Sequence, residues 1–508
     1  MDNQTQLATE TDDILRHIDN LQVLAFDAYS PLPGRAFVPK VSLREYLSHD
    51  KVKTLLKFCG LSVVDWHTIH THYLTVFVIL LGIGKGKYIT HFRSHDALAD
   101  DQLPFHTGSN WPSVCLKFYD KFDDAQWRFC AQELRADRLD DRMFLWKRII
   151  PITSKTMLKD SADSETYRVE IHPDYAPKTF RDPPNGITPI VFVLKTYRPE
   201  LNRFHYNEVR AYKMLKHKDI SSSVVHFYGS WKHGESYNLL LEYVPADTVS
   251  SLLTTDGPTT TEERLSFWSN MMRILEPVCR LHCHSDPDND NGILRGVHQD
   301  IQPNNILATP SMSFDCRFKL IDFELTHFSA GSELYPSSWL RDAHGVQTYS
   351  APECFRSEHD GFDERTTRPA TPSKDVFSLG CVFSEAFVWS ALGAKGVEKY
   401  RLERRAATEQ IGELEKTAYS GCFHDGKQVL AAVAYMHAEA RNNCGQDLPF
   451  MGKLSLIIED MLSDVSVRPP SHEVRKRLMR VINDDMSIHG VSRAGFKAPG
   501  LEDRLSKF

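Results

Sequence analysis

Apolar residues recur at two different periods along this chain, and the period changes near Arg148. From Val38 to about Trp146 they fall at helical spacing, as in Leu43, Tyr46 and Leu47 and then Val52, Leu55, Leu56 and Phe58. That spacing predicts a mainly helical region over residues 31–147. Residues 1–30 are polar and acidic, with a modest amphipathic stretch from Ile14 to Leu24, and read as a flexible N-terminal segment. The longest apolar run, Tyr73 to Ile83, falls well short of the ~20 residues that a membrane span needs and predicts a buried helix. Gly82-Ile83-Gly84-Lys85-Gly86-Lys87 follows it without the GxxxxGK[ST] spacing of a phosphate loop, so the glycines read as the end of that helix.

From Arg148 onward the pattern turns to short β-rich runs. Tyr167–Ile171 alternates like a half-buried strand, and Ile190-Val191-Phe192-Val193-Leu194-Lys195 reads as a buried strand ending in a lysine. Phe204 to Leu215 reads as a helix whose apolar face carries Phe204, Glu208, Ala211 and Leu215. A carboxylate on an apolar stripe needs a partner, and a strand-end ammonium needs a carboxylate or a polyphosphate, so Lys195 and Glu208 are expected to pair. Leu239–Val244 predicts a further strand and Thr261–His282 a long amphipathic helix. The expected fold is α+β: a β-rich part over residues 148–244, a helical part over 245–488 and a tail over 489–508.

Candidate chemistry concentrates in Gly296-Val297-His298-Gln299-Asp300-Ile301-Gln302-Pro303-Asn304-Asn305-Ile306-Leu307. An Asp and an Asn five residues apart, on a loop carrying a Pro and followed by apolar residues, have the spacing of a phosphoryl-transfer loop. Asp300 then lies beside the attacking hydroxyl, and Asn305 holds a metal ion on the nucleotide phosphates. Two other stretches invite chemistry that their details refuse. Asp286–Gly292 has its Gly one place late for a calcium loop and Val297 where the last ligand belongs. Cys279, His282, Cys283 and His284 read as helix-packing side chains rather than a metal site.

Composition narrows the class. The chain has 508 residues, 41% hydrophobic and 25% charged, enough for two or three domains of ordinary size. A formal net charge of -7 argues against bulk binding to nucleic acid or an anionic membrane. The 10 cysteines contain no CxxC pair, and the first residues lack a signal region, which points to a reducing, intracellular setting, cytoplasmic or nuclear. No membrane span is expected, and oligomeric state is not readable.

The ordered set of motifs resembles a eukaryotic protein kinase domain from about residue 148 to residue 484, similar to the serine/threonine kinase-like proteins of filamentous fungi. The resemblance implies a bilobal kinase fold, ATP and Mg²⁺ as cofactors, and a protein substrate or partner. It implies that Lys195, braced by Glu208, orients phosphates, that the backbone of Glu242 and Val244 meets the adenine edge, and that Leu241 is the gatekeeper. Asp322 of Asp322-Phe323-Glu324 is implied as a second metal ligand beside Asn305, and Gln302 stands at the catalytic-loop position next to Asp300. Ser350-Ala351-Pro352-Glu353, Asp375–Gly380 and Arg468 match structural motifs: Glu353 and Arg468 are expected to pair, and Asp375 to brace the loop backbone.

Four departures bear on activity. Leu158–Glu165 has no glycine where the family has a glycine-rich phosphate cover, Gln302 replaces a lysine, Glu324 replaces a glycine, and Val346 replaces a threonine. Gln299 stands where an Arg often precedes the catalytic Asp, so activation through phosphate–Arg pairing is not expected. The sequence thus supports a protein serine/threonine kinase of reduced activity, with a catalytically impaired pseudokinase acting as a binding or scaffolding module as the alternative. A small-molecule phosphotransferase shares the HxDxxxxN pattern but should lack the Ala351-Pro352-Glu353 and Asp375–Gly380 elements.

Overall fold

The computed structural model describes residues 3–27, 33–106, 111–134, 139, 142–176, 190–216, 222–285, 293–309, 316–330, 347–355, 371–412, 414, 418–444 and 448–488. Packing gathers Met1–Asn202 with Tyr228–Tyr243 into one compact unit and Arg203–Phe227 with Val244–Phe508 into another. That division does not fall at the change of hydrophobic period near residue 148.

In the first unit, α1 (Asn3–Asn20) forms where the sequence reads as a flexible end. Ile14 and Ile18, one helical turn apart, both bury, and Thr11 buries with them. A hairpin of β1 (Val23–Phe26) and β2 (Pro33–Phe37) follows, then α2 (Lys40–Tyr46), α3 (His49–Phe58), α4 (Trp66–His72), α5 (Leu74–Gly82), α6 (Ile89–Phe92) and α7 (Tyr119–Gln126). Their core includes Leu43, Leu55, Ile69, Phe77, Phe92 and Phe122. The apolar run from Tyr73 is the buried helix α5. Asp100 caps its start, accepting from the Thr75 and Val76 N–H groups, each at 2.9 Å. Gly84 ends it at φ +70, where Lys85 N–H reaches back to Leu80 O and Gly84 N–H to Leu81 O. Only a residue free of a Cβ takes that left-handed turn cheaply, so these glycines stop a helix.

The same unit holds a six-stranded sheet: β3 (Arg142–Phe144), β4 (Ile152–Asp160), β5 (Ser164–Ile171), β6 (Val191–Tyr197), β7 (Phe227–His233) and β8 (Ser236–Glu242), in the order β3-β7-β8-β6-β5-β4. β3 pairs parallel to β7, whereas β4 with β5, β5 with β6 and β6 with β8 are antiparallel. Tyr167, Val169 and Ile171 of β5 point inward as the alternation predicts. Strand β6 runs two residues beyond Lys195. One core joins the sheet to the chain before it: Ala25, Phe37, Ala131, Leu134 and Leu139 pack with Val169, Leu194, Trp231 and Leu240. Arg35 strengthens that junction by donating to the carbonyls of Trp146, Lys147 and Arg148.

The second unit begins with α8 (Asn202–Leu215), whose buried face includes Phe204, Glu208, Ala211 and Leu215, the residues the periodicity selects. The short strand β9 (Asp247–Thr248) and helix α9 (Val249–Leu252) lead to the segment expected as one long helix. That segment is broken into α10 (Thr261–Met271), a 3-10 turn at Met272–Ile274 and α11 (Leu275–His282). Pro277 gives the reason: it has no N–H to offer the carbonyl of Arg273, and its ring crowds that carbonyl. Thr260 and Glu263 form a reciprocal capping box at the start of α10. Short strands β10 (His284–Ser285), β11 (Ile293–Val297), β12 (Ile306–Thr309), β13 (Arg317–Leu320) and β14 (His327–Ala330) form two three-stranded sheets, β10-β11-β14 and β13-β12-β9.

The remainder is helical: α12 (Pro372–Glu409), α13 (Ala431–Cys444), α14 (Pro449–Met461) and α15 (Ser471–Ile488). α12 is long and apolar enough to cross a membrane, a feature absent from the sequence-based expectation, yet most of its apolar stretch is buried inside the fold. It breaks at Gly393, where φ is +69. Glu385 on α12 is fully buried and neutralised by Arg401 and Arg404 farther along the same element. The Asp286–Gly292 stretch and Val346 lie outside the described residues, as does the 489–508 tail.

His424 illustrates how the second unit is pinned. Its Nε2 lies 3.1 Å from Ser350 O, while its Nδ1 accepts from Gly426 N–H at 3.0 Å, which fixes a neutral ring with the proton on Nε2. Burial pushes its pKa down to about 4, against the bond to Ser350 that favours the charge. A histidine held neutral in the fold but protonated when unfolded contributes stability above its unfolded pKa. That contribution is lost as pH falls from about 6.5 through about 4, on the order of 3 kcal/mol in all. In urea titrations, His424→Gln is expected to flatten the decline of stability across that pH window. An unchanged slope would show that His424 does not carry it.

Candidate functional site

The loop that follows β11 is held from behind by a carboxylate. Asp375, in the first turn of α12 and fully buried, accepts from His298 N–H at 2.7 Å and from Gln299 N–H at 2.9 Å. His282 Nε2 lies 3.1 Å from the same carboxylate, and His282 Nδ1 lies 2.9 Å from Ser471 Oγ. Both ring nitrogens of His282 are therefore engaged inside the protein, so this histidine is a packing residue rather than a metal ligand. Burial alone would raise the pKa of Asp375, but the bond and charge of His282 and the backbone donors outweigh it and hold the carboxyl below its ordinary value.

Two residues at the site adopt left-handed backbone, Gln299 at φ 71 and Asp322 at φ 67. For Gln299 the strain is offset by a side-chain bond from Nε2 to Leu325 O at 2.9 Å, which ties the loop to the segment after Asp322. Between these ties a column of rings runs through the unit. Phe227 stacks on Tyr212 at 5.6 Å, Tyr212 meets Phe323 edge-on at 5.0 Å, and Phe323 lies 4.9 Å from His298.

Asp300 projects from the front of the loop. Gln302 Nε2 lies 3.0 Å from each of its carboxylate oxygens. Asn305 Nδ2 donates to Asp300 Oδ2 at 2.6 Å and to Asp300 O at 2.9 Å. The 3-10 turn Pro303–Asn305 folds Asn305 back onto Asp300, and Ile321 N–H on Asn305 O sets the loop beside the Asp322 segment. The Asn305 amide nitrogen is thus used within the loop, leaving its amide oxygen as the atom suited to a metal.

Asp322 does not stand alone. Glu208, Asp322 and Glu324 each offer a carboxylate oxygen within 4.8 Å of the others, and Phe323 N–H reaches Glu208 at 3.4 Å. Glu208 is buried in α8, whereas the other two are partly exposed. This grouping was not visible in the sequence, since α8 and the Asp322 segment lie far apart along it; the buried position of Glu208 on its apolar stripe was the one available signal. The side chain of Glu324 is what the glycine-to-glutamate departure adds here.

The remaining expected residues take these places. Lys195 is buried on β6 of the first unit, with its ammonium 5.3 Å from the Tyr197 ring. Glu242 ends β8 opposite Phe192, Leu241 precedes it as a buried residue, and Val244 O accepts from Ala246 N–H. Arg468 grips Glu353 through both terminal nitrogens, at 2.6 Å and 3.1 Å, and also donates to Ser373 O and Ser463 O. The hairpin between β4 and β5 turns on serines in place of glycines: Ser161 Oγ accepts from Ser164 N–H at 3.0 Å and donates to Ser164 O at 2.7 Å.

The family model of the protein kinase domain matches residues 191–418, which run from β6 through the Asp300 loop and the whole of α12. Residues 191–418 are a protein kinase domain. The kinase domain resembles curated serine/threonine kinases at low identity. It is 27% identical over 223 residues to mitosis inhibitor protein kinase mik1 of Schizosaccharomyces pombe, covering 43% of this chain and 33% of that protein. It is 30% identical over 131 residues to receptor-interacting serine/threonine-protein kinase 3 of Rattus norvegicus, 26% of this chain and 23% of the relative. With human mitogen-activated protein kinase kinase kinase 19 it shares 28% over 180 residues, 35% of this chain and 11% of the relative. The chain thus spans a third or less of the length of these relatives. The match starts at β6, so β4, β5 and the glycine-free hairpin lie outside it.

Asp375→Ala should be the most damaging single change at the base of this kinase domain loop. It leaves the buried amides of His298 and Gln299 without an acceptor, at about 1–3 kcal/mol each. The expected result is a large fall in the urea midpoint with little change in slope, and a midpoint equal to wild type would contradict the role given to this carboxylate.

Proposed function

We propose that the protein transfers the γ-phosphoryl group of ATP to a serine or threonine hydroxyl of a protein substrate, with Mg²⁺, at reduced efficiency. The observation that carries this reading is the Asp300 carboxylate, positioned by the side-chain amides of Gln302 and Asn305 from its own loop. Those bonds fix where the carboxylate sits, which suits Asp300 to orient an acceptor hydroxyl and take up its proton.

The donor set suits Mg²⁺: the Asn305 amide oxygen and the Asp322 carboxylate are hard oxygen ligands, with Glu208 and Glu324 close to Asp322. When bound, Mg²⁺ neutralises charge on the transferred phosphoryl group. Lys195 is assigned to the nucleotide phosphates, and the backbone of Glu242 and Val244 to the adenine edge. Gln302 orients Asp300 through hydrogen bonds but adds no positive charge where charge develops. The loss of one such donor typically costs about 10²–10³ in turnover.

The 10 thiols form no disulfide, which supports placing the protein inside the cell, in cytoplasm or nucleus. A net charge of -7 supports a protein rather than a nucleic acid as its partner. A second reading, a pseudokinase that binds or scaffolds a partner protein, is favoured by Glu324, which adds negative charge beside Asp322.

Phosphate transfer from labelled ATP by the purified full chain, with and without Mg²⁺, separates the two. Asp300→Ala is expected to lower transfer by at least about 10²-fold, and Gln302→Lys to raise it by about tenfold or more. ATP binding without any Asp300-dependent transfer would sink the kinase reading and leave the binding module.

A further inference from the structure

We propose that the first unit holds a separate ligand site, for a small organic anion, in the cavity of about 530 Å³ that lies between α2, α4, α5 and the segment Phe129–Tyr175. Every residue lining it falls between Lys40 and Tyr175, ahead of the stretch matched by the kinase family, so the site is separate from the Asp300 loop. Its volume is that of a small-molecule pocket, and Leu43, Leu74, Leu103 and Phe129 give it an apolar wall.

The chemistry of the ligand follows from which polar groups inside are already satisfied. Asp100 is the half-buried acid on the lining, but each of its oxygens accepts a backbone N–H from the start of α5. It has little left to offer a ligand cation. Arg148 is the opposite case. One nitrogen of its guanidinium donates to Cys130 O at 3.1 Å and the group stands 5.6 Å from the Trp127 ring, but no carboxylate pairs with it among the described residues. Burial opposes its charge, as the lowered pKa records. Tyr175 Oη accepts from Lys40 N–H at 3.1 Å, so the hydroxyl hydrogen stays available to donate. The inner wall thus presents donors looking for an acceptor, one of them a poorly compensated cation.

The other acids on the lining stand at the mouth. Asp101, Glu133 and Asp174 are exposed, with Glu133 3.9 Å from Lys40 and Asp174 3.8 Å from His172. Water screens these charges far more than it screens Arg148. A ligand with a carboxylate or phosphate head and a compact apolar body meets both halves of the cavity: head to Arg148 and Tyr175, body to the leucines and Phe129.

Ligand-observed NMR on the full chain, saturated with ATP and Mg²⁺, tests this with three probes: benzoate, phenyl phosphate and the neutral isostere benzamide. Benzoate, phenyl phosphate or both should bind saturably below about 10 mM, and benzamide at least about tenfold more weakly, since a charge-assisted bond to Arg148 is lost. Which head group binds better identifies the source of the anion. Arg148→Met, which keeps the aliphatic stem, should weaken the anions to the level of benzamide, and Tyr175→Phe should weaken them about threefold. Equal binding of benzamide and benzoate to wild type would overturn the proposal even if Arg148→Met fails to fold. So would the absence of saturable binding by either anion, or anion binding unchanged in a folded Arg148→Met protein.

Discussion

The second unit depends on one buried carboxylate. Taking Asp375 out of water is costly, and the fold offsets that cost by giving it two loop amides and His282 as donors. Two of the donors are adjacent amides of the loop, and the third is a side chain of the helix before it. The interaction therefore works in two directions: the loop satisfies the charge, and the charge fixes the loop's backbone. With His298 and Gln299 held by their amides, Gln299 keeps a left-handed conformation directly before Asp300. His282 ties the same point to Ser471 at the start of α15, and Arg468 with Glu353 closes a second buried pair nearby in sequence.

Around that fixed base the loop makes neutral contacts where charged ones would be expected from the family. Gln302 spans both oxygens of Asp300, and Gln299 reaches Leu325 O. Both amides reproduce hydrogen-bond geometry without supplying charge, and Glu324 adds a carboxylate beside Asp322. A neutral amide in that place withholds the help that a fixed cation gives to a developing negative charge. Geometry and electrostatics are thus uncoupled at this site: the first is preserved by Asp375, the second is altered by three side chains.

Much of this was legible in the sequence because it depends on short spacing. The five-residue interval from Asp300 to Asn305 places both on one turn, and the stripe Phe204, Glu208, Ala211, Leu215 marked a carboxylate that must be buried. What escaped depends on long-range packing or on single backbone angles. The meeting of Glu208 with Asp322 and Glu324 joins segments more than a hundred residues apart. The left-handed turns at Gln299 and Asp322 are imposed by tertiary bonds on residues that do not favour them. Pro277 did carry a readable signal, and the break between α10 and α11 follows from it. The helix α1 was missed because its apolar content is small, and only its contacts with α3 and its neighbours make it persist.

The core shared by the helical region and the sheet bears on how this protein can be treated as a set of parts. Ala25, Phe37, Ala131, Leu134 and Leu139 cover a face of the sheet on which Val169, Leu194, Trp231 and Leu240 depend. A fragment cut at residue 148 would leave that face wet, an apolar surface of the kind that drives aggregation. The part of the chain after residue 148 is therefore not a portable module with an accessory attached in front. The leading residues are structural material of the sheet itself, and any exchange of domains with another protein would have to carry them along.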